Sequence, residues 1–168
     1  MIALHATLAR ELRTPFFFPG SHDAFHARTQ FTFVPLLARA AEWMAQEPGC
    51  ANQSYNITNA DSPRWSELWR RFGDYFGVQA GEPRKMRLAD AVSDRENAWR
   101  ALVERHGLAP VALIDRVLWP YADYLFAPEW DIISSTSEGQ RDCFGEPIDS
   151  AAMFIELFER FRRDKIIP

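Results

Sequence analysis

A chain of 168 residues has room for one domain or for a large piece of a bigger one. With 47% hydrophobic and 25% charged residues, a net charge of −4 and a pI near 5.6, it is neither disordered nor suited to nucleic acid as its main partner. Its unusual component is aromatic: 13 Phe, 6 Trp and 4 Tyr suit a packed core or an apolar ligand pocket.

Met1 to Leu12 has helical periodicity, with Ile2, Ala6, Ala9 and Leu12 on one stripe, and begins without a capping signal, as a chain entering mid-structure would. Thr14 to Gly20 reads as a short extended run closed by a Pro-Gly turn. Its prolines restrict it to an edge strand. Phe33, Leu36, Leu37, Ala40 and Met44 form the stripe of an amphipathic helix that Pro48-Gly49 stops. Asn52 to Ile57 is predicted as a short strand, followed by the turn Thr58-Asn59-Ala60-Asp61.

The next helix has clear signals at both ends. Ser62 is the expected N-cap, Pro63 the first helical residue, Trp65, Leu68, Trp69, Phe72 and Phe76 the apolar face, and Gly77 the terminator. After a loop from Pro83, a short helix through Met86, Leu88 and Ala91 precedes a second from about Ser93 to His106, ended by Gly107. Ala109-Pro110 breaks the chain, and Trp119-Pro120-Tyr121 forces a kink or restart in the segment that follows. Asp131 to Glu138 is predicted helical, Gly139 to Pro147 a loop, and Ser150 to Arg163 a final amphipathic helix with Phe154, Leu157, Phe158 and Phe161 inward. The apolar tail Lys165-Ile166-Ile167-Pro168 is expected to dock.

Catalytic machinery does not declare itself along this path. None of the 8 glycines forms a GxGxxG or GxxxxGK[ST] phosphate turn, and no GxSxG elbow is present. No Tyr is followed by Lys at the Tyr-x-x-x-Lys spacing, whether Tyr55, Tyr75, Tyr121 or Tyr124. His22 and His26 stand at i, i+4 without an HExxH partner and read as surface histidines, while Cys50 and Cys143 make no CxxC pair. No metal site is expected. Asp123, between Tyr121 and Tyr124, reads first as a hydrogen-bonded helix-terminal residue and second as a buried acid; Asp61 reads as a turn residue. The basic runs 84–87 and 160–163 are flanked by acids and read as solvated faces. Without a signal peptide or an apolar run of membrane-spanning length, a cytoplasmic protein is expected.

Several segments in order resemble the C-terminal region of the progesterone 5β-reductase/iridoid synthase-like (PRISE-like) extended short-chain dehydrogenases. They are Phe18-Pro19-Gly20-Ser21, Leu36-Leu37-Ala38 through Trp43, and Asn52 through Asn59. Next come Trp65-Ser66-Glu67-Leu68-Trp69, Phe76-Gly77, Trp99, Trp119 with Tyr121-Ala122-Asp123, and the closing Lys165-Ile166-Ile167-Pro168. The resemblance implies an α/β fold of which this is the mostly helical portion, residues 1–168 forming a single substrate-capping region without the N-terminal Rossmann part. It also implies NADPH-dependent reduction of activated C=C bonds in enones and enals. The Gly-rich turn and the catalytic Tyr and Lys of that family lie upstream of the matched region, so this chain alone is expected to bind no cofactor and to hold no catalytic residue.

By the same resemblance, Tyr121 corresponds to the aromatic that gates the substrate pocket, Trp119 is its neighbour, and Phe144 matches a phenylalanine in a Gly-Phe loop. The chain departs from the family pattern at Asp142-Cys143, at Ala60 where Gly is usual, and at Pro63 where an aromatic is common. The implied partners are a small apolar carbonyl-containing substrate, and either the missing Rossmann half or a second copy meeting exposed apolar surface. A stand-alone, non-catalytic binding or interaction module derived from that family is the alternative reading. An independent acid/base enzyme using Asp123 or a histidine is a third.

Overall fold

The computed structural model describes residues 1–142, 144–145 and 147–168, with Ser93 described by its backbone alone. At its centre is α1 (Ile2–Glu11). The periodicity predicts one apolar stripe, yet every residue from Ile2 to Ala9 is buried, His5 and Thr7 included, whereas Leu12 is half-exposed. The reason is that α1 is enclosed by three elements: β1 (Phe16–Phe17), α4 (Trp65–Phe76) and α5 (Leu88–His106). A helix covered on all sides has no polar face to show.

Strand β1 pairs in parallel with β2 (Ala80–Gly81), Phe16 opposite Ala80 and Phe17 opposite Gly81, and among the described residues this two-residue ladder is the sheet. Helices account for 55% of the chain, so the expected mostly helical α/β portion is what the structure has. The Phe16 ring stacks on Trp69 at 4.1 Å, and the Trp69 indole N–H donates to the Phe16 carbonyl at 2.7 Å. The strand is thereby fixed to α4 by both stacking and a satisfied buried donor.

After β1 the chain passes through Pro19-Gly20 into α2 (His22–His26), where Ser21 accepts from the Ala24 N–H. A β-carbon at Gly20 would fall on the Phe126 carbonyl oxygen and the Phe18 ring. Backbone carbonyls in a packed core do not move aside cheaply. Gly20→Ala is therefore expected to cost about 1–3 kcal/mol, read as a lower urea midpoint at unchanged m-value.

Helix α3 (Val34–Gln46) follows, with Leu36 and Ala40 buried, Leu37 half-exposed, and a 3-10 turn at Pro48–Cys50. The strand predicted at Asn52–Ile57 does not form; Asn52 sits in a turn with φ 60° and residues 53–57 join no ladder. Its polar groups are met singly instead: the Thr32 hydroxyl donates to the Ile57 carbonyl at 2.7 Å, and the Asn56 side chain donates to the Ser135 carbonyl at 3.0 Å. Strand-like residues alone cannot make a strand where no neighbour runs alongside.

Helix α4 buries the predicted face and ends at Gly77 in the left-handed conformation, φ 63°. Its start differs from the expectation. Ser62 and Pro63 remain outside, Arg64 is the N-cap, and the Arg64 N–H donates to the Glu67 carboxylate at 3.1 Å. Pro63 lies outside the helix, and its carbonyl accepts from the Thr29 N–H at 3.0 Å. Helix α5 is one 19-residue helix where two were predicted, since nothing between Ala91 and Ser93 breaks it. Gly107, φ 58°, ends it.

A 3-10 turn at Leu113–Arg116 leads to α6 (Trp119–Leu125), and Pro120 sits in its first turn, so the proline restarts a helix and does not kink one. The helix predicted over Asp131–Glu138 is corrected. Residues 131–136 are non-helical because Asp131 and Ile132 bond to the Arg28 backbone, and only Ser137–Arg141 forms α7. Helix α8 (Ser150–Arg163) matches its prediction in both bounds, with Asp149 accepting from the Ala152 N–H. The tail docks: Ile167 is buried and the Lys165 carbonyl accepts from the Ala109 N–H.

Candidate functional site

The residues singled out for substrate contact lie on α6 and in the loop after α7. On α6 the packing is two-sided. Trp119 is buried at 4% exposure, its indole N–H donating to the Leu113 carbonyl at 3.1 Å, and it borders a small internal space with His5, Leu88 and Arg95. Tyr121 and Tyr124 point the other way, 54% and 68% exposed, their rings stacked with centroids 6.1 Å apart, and Leu118 stands beside them at 72%. Trp119 thus anchors the helix that presents Tyr121. Phe144 belongs to a separate cluster, stacked on Trp43 at 4.9 Å, with Tyr55 against the other edge of the Trp43 ring. The structure does not bring Phe144 together with the α6 pair.

Cys143, which departs from the family pattern, lies outside the described residues. The Tyr55 hydroxyl donates to the Asp142 carboxylate at 2.8 Å. Its hydrogen bonds, to the Cys50 thiol first and to Asp142 second, hold the phenol above its ordinary titration range. Tyr55 is therefore a fixed donor at neutral pH and not a base.

The carboxylates are committed to structure. Asp123 accepts from the Leu88 and Ala89 N–H groups at 2.6 and 3.3 Å, capping α5 from across the fold. Asp61 accepts from the Ser150 backbone N–H and hydroxyl at 2.8 and 2.5 Å, at the start of α8. His22 and His26 are exposed with rings 4.6 Å apart, and among the described residues no group of three His, Cys, Asp or Glu side chains is arranged to hold a metal.

A dinucleotide needs a phosphate cradle, normally a helix N-terminus reached through a glycine turn. Carboxylates already occupy the starts of α4, α5 and α8: Glu67 at the first, Asp123 at the second, Asp149 and Asp61 at the third. A phosphate there would meet negative charge. The residues present do not fit a dinucleotide's phosphates at these positions.

One residue escaped the sequence reading. Asn59, which the sequence predicts in a turn, is fully buried with every polar group engaged. Its side-chain oxygen accepts from the Phe33 N–H at 2.8 Å, its amide donates to the Ser150 hydroxyl at 2.9 Å, its N–H donates to the Phe31 carbonyl at 2.8 Å, and its carbonyl accepts from the Ile148 N–H at 2.9 Å. The nearest signal is the Asn-x-Asp spacing of Asn59 and Asp61, typical of turns whose side chains bond backbone.

Among the described residues eleven large hydrophobic side chains are exposed, the α6 set joined by Trp130, Ile132 and Ile133. The accessible surface is 9774 Å², against roughly 8,500 Å² for a compact monomer of this mass. Among the described residues no helix is long and apolar enough to cross a membrane.

No protein-family profile matches the sequence. Among curated proteins, the chain is 25% identical over 182 residues to a short chain dehydrogenase of Penicillium aethiopicum, covering 99% of this chain and 48% of that protein. It is 26% identical over 172 residues to an (S)-8-oxocitronellyl enol synthase of Nepeta cataria (99% and 43%). It is 25% identical over 170 residues to the 3-oxo-Delta(4,5)-steroid 5-beta-reductase of Arabidopsis thaliana (99% and 44%). The chain spans about half the length of the curated relatives it matches.

Proposed function

We propose that this chain, which resembles the PRISE-like extended short-chain dehydrogenases along 99% of its length, is the substrate-covering portion of an NAD(P)H-dependent reductase of small apolar enones or enals, and is not catalytic alone. The carrying observation is the likeness of essentially the whole chain to proteins named as a 5-beta-reductase, enol synthases and a short chain dehydrogenase. The exposed α6 face supports the reading. Tyr121, backed by the anchored Trp119, offers a flat apolar surface of the kind that excludes water from a hydride-transfer site. Phe144, stacked on Trp43 in its separate cluster, is the third residue assigned to substrate contact.

When bound in such an enzyme, the nicotinamide supplies the hydride. This chain's own residues hold and orient an apolar substrate and keep water away. The nucleotide-binding half is a separate portion, in the same polypeptide or in a cytoplasmic partner, and the exposed apolar side chains of α6 and of 130–133 are the surface it meets. The purified chain is expected to give no thermal shift with NADPH and no enone-dependent NADPH oxidation. Clear turnover by the chain alone would overturn the reading.

A further inference from the structure

We propose a second binding site, for a medium-chain carboxylate amphiphile, in the groove between the segment Phe31–Pro35 and α8, remote from Tyr121, Trp119 and Phe144. The groove has a volume of about 460 Å³, within the range of small-molecule sites. One wall is Phe31, Phe33, Val34 and Pro35; the other is Met153, Phe154 and Leu157. Val34 is 74% exposed on its rim, so the apolar lining is open to a ligand.

The walls are rigid before anything binds. Phe31 packs edge-on against Trp65 and Phe154, with centroids 5.4 and 4.9 Å apart, which fixes the floor to the aromatic core. Asn59 ties the two sides together, taking the Phe33 N–H on one and reaching Ser150 and Met153 on the other. A preformed apolar groove loses little ordering entropy when it is filled.

Charge decides the occupant. Along α8 the apolar residues come first and the basic ones last: Met153, Phe154 and Leu157, then Arg160 and Arg163. From Met153 to Arg163 the groove runs about 15 Å at the helical rise, the length of a medium alkyl chain with its head group at the arginine end. Arg160 is 3.6 Å from Asp164 and largely exposed, and the exposed side chain of Arg163 makes no ion pair among the described residues. Glu156 lines the same groove two turns before Arg163 and disfavours an anion there, which sets the direction of the ligand: carboxylate toward Arg163, tail toward Met153.

The test is calorimetric titration of the intact chain with dodecanoate and with dodecan-1-ol, both below their aggregation limits. Dodecanoate is expected to bind saturably at one site, at least tenfold tighter than the alcohol. The double substitution Arg160→Gln/Arg163→Gln should erase that preference while leaving the melting temperature unchanged, because both side chains are exposed. Leu157→Trp should fill the groove and abolish binding of both. The proposal fails if dodecanoate does not bind saturably, if acid and alcohol bind alike, or if the Arg variant keeps the preference. It fails equally if only an acidic amphipathic peptide binds.

Discussion

Replacing Asn59 by alanine should destabilise the fold by about 3 kcal/mol, more than its place in a polar tetrapeptide suggests. The estimate combines about 1–3 kcal/mol for orphaning the part-buried Phe33 N–H with about 1 kcal/mol for the lost bond to Ser150. The backbone bonds of residue 59 to Phe31 and Ile148 survive the change, so the cost isolates the side chain. Asn59→Asp is expected to be worse, although it is nearly isosteric. It keeps the acceptor for Phe33 but replaces the donor to Ser150, and it buries a negative charge beside a serine whose hydroxyl already donates to the Asp61 carboxylate. Urea denaturation of the three proteins, followed by tryptophan fluorescence, reads the order Asn, Ala, Asp from most to least stable. Equal midpoints would mean that water replaces the side chain at no cost.

Asn59 also marks where sequence reading stops. Periodicity located α1, α4 and α8, because their apolar spacing and their terminators are local features: Gly77 needs only its own backbone to end a helix. The strand at Asn52–Ile57 and the helix at Asp131–Glu138 failed for a nonlocal reason. Each has suitable residues, but the first lacks a neighbouring strand and the second is drawn onto the backbone of Arg28, more than 100 residues away. The start of α5 is nonlocal in the same way, since the Asp123 carboxylate that caps it at Leu88 comes from α6. The site shows the same division. Family likeness picked out the α6 aromatics, but nothing in the order Trp119-Pro120-Tyr121 says which ring turns inward. Packing against His5 and Leu113 decides that.

His5 carries the second large effect, on acid stability. The ring is 3% exposed, and both nitrogens are in use: Nε2 lies 2.9 Å from the Phe17 carbonyl and donates to it, while Nδ1 lies 3.0 Å from the Arg95 guanidinium and accepts from it. Only the neutral Nε2–H tautomer satisfies both. Burial, the main cause, together with repulsion from Arg95 and the Met1 amino group, pushes the His5 pKa down to about 4, against the partial opposition of the Phe17 bond. In the unfolded chain the value is the ordinary 6.5. Between these limits the unfolded state binds a proton that the folded state refuses, so the contribution of His5 is fully present above pH 6.5 and is lost as pH falls toward 4, by about 3 kcal/mol over the window. His5→Gln offers an uncharged donor and acceptor in a similar volume and does not titrate. It is expected to start less stable at pH 7, from imperfect packing in α1, and to lose about 3 kcal/mol less than the parent on acidification to pH 4. Taking the difference between the two proteins at each pH removes the carboxylates, which titrate in both. Parallel stability curves would show that the proton enters elsewhere, and that Arg95 moves off Nδ1 at no cost when the ring is charged.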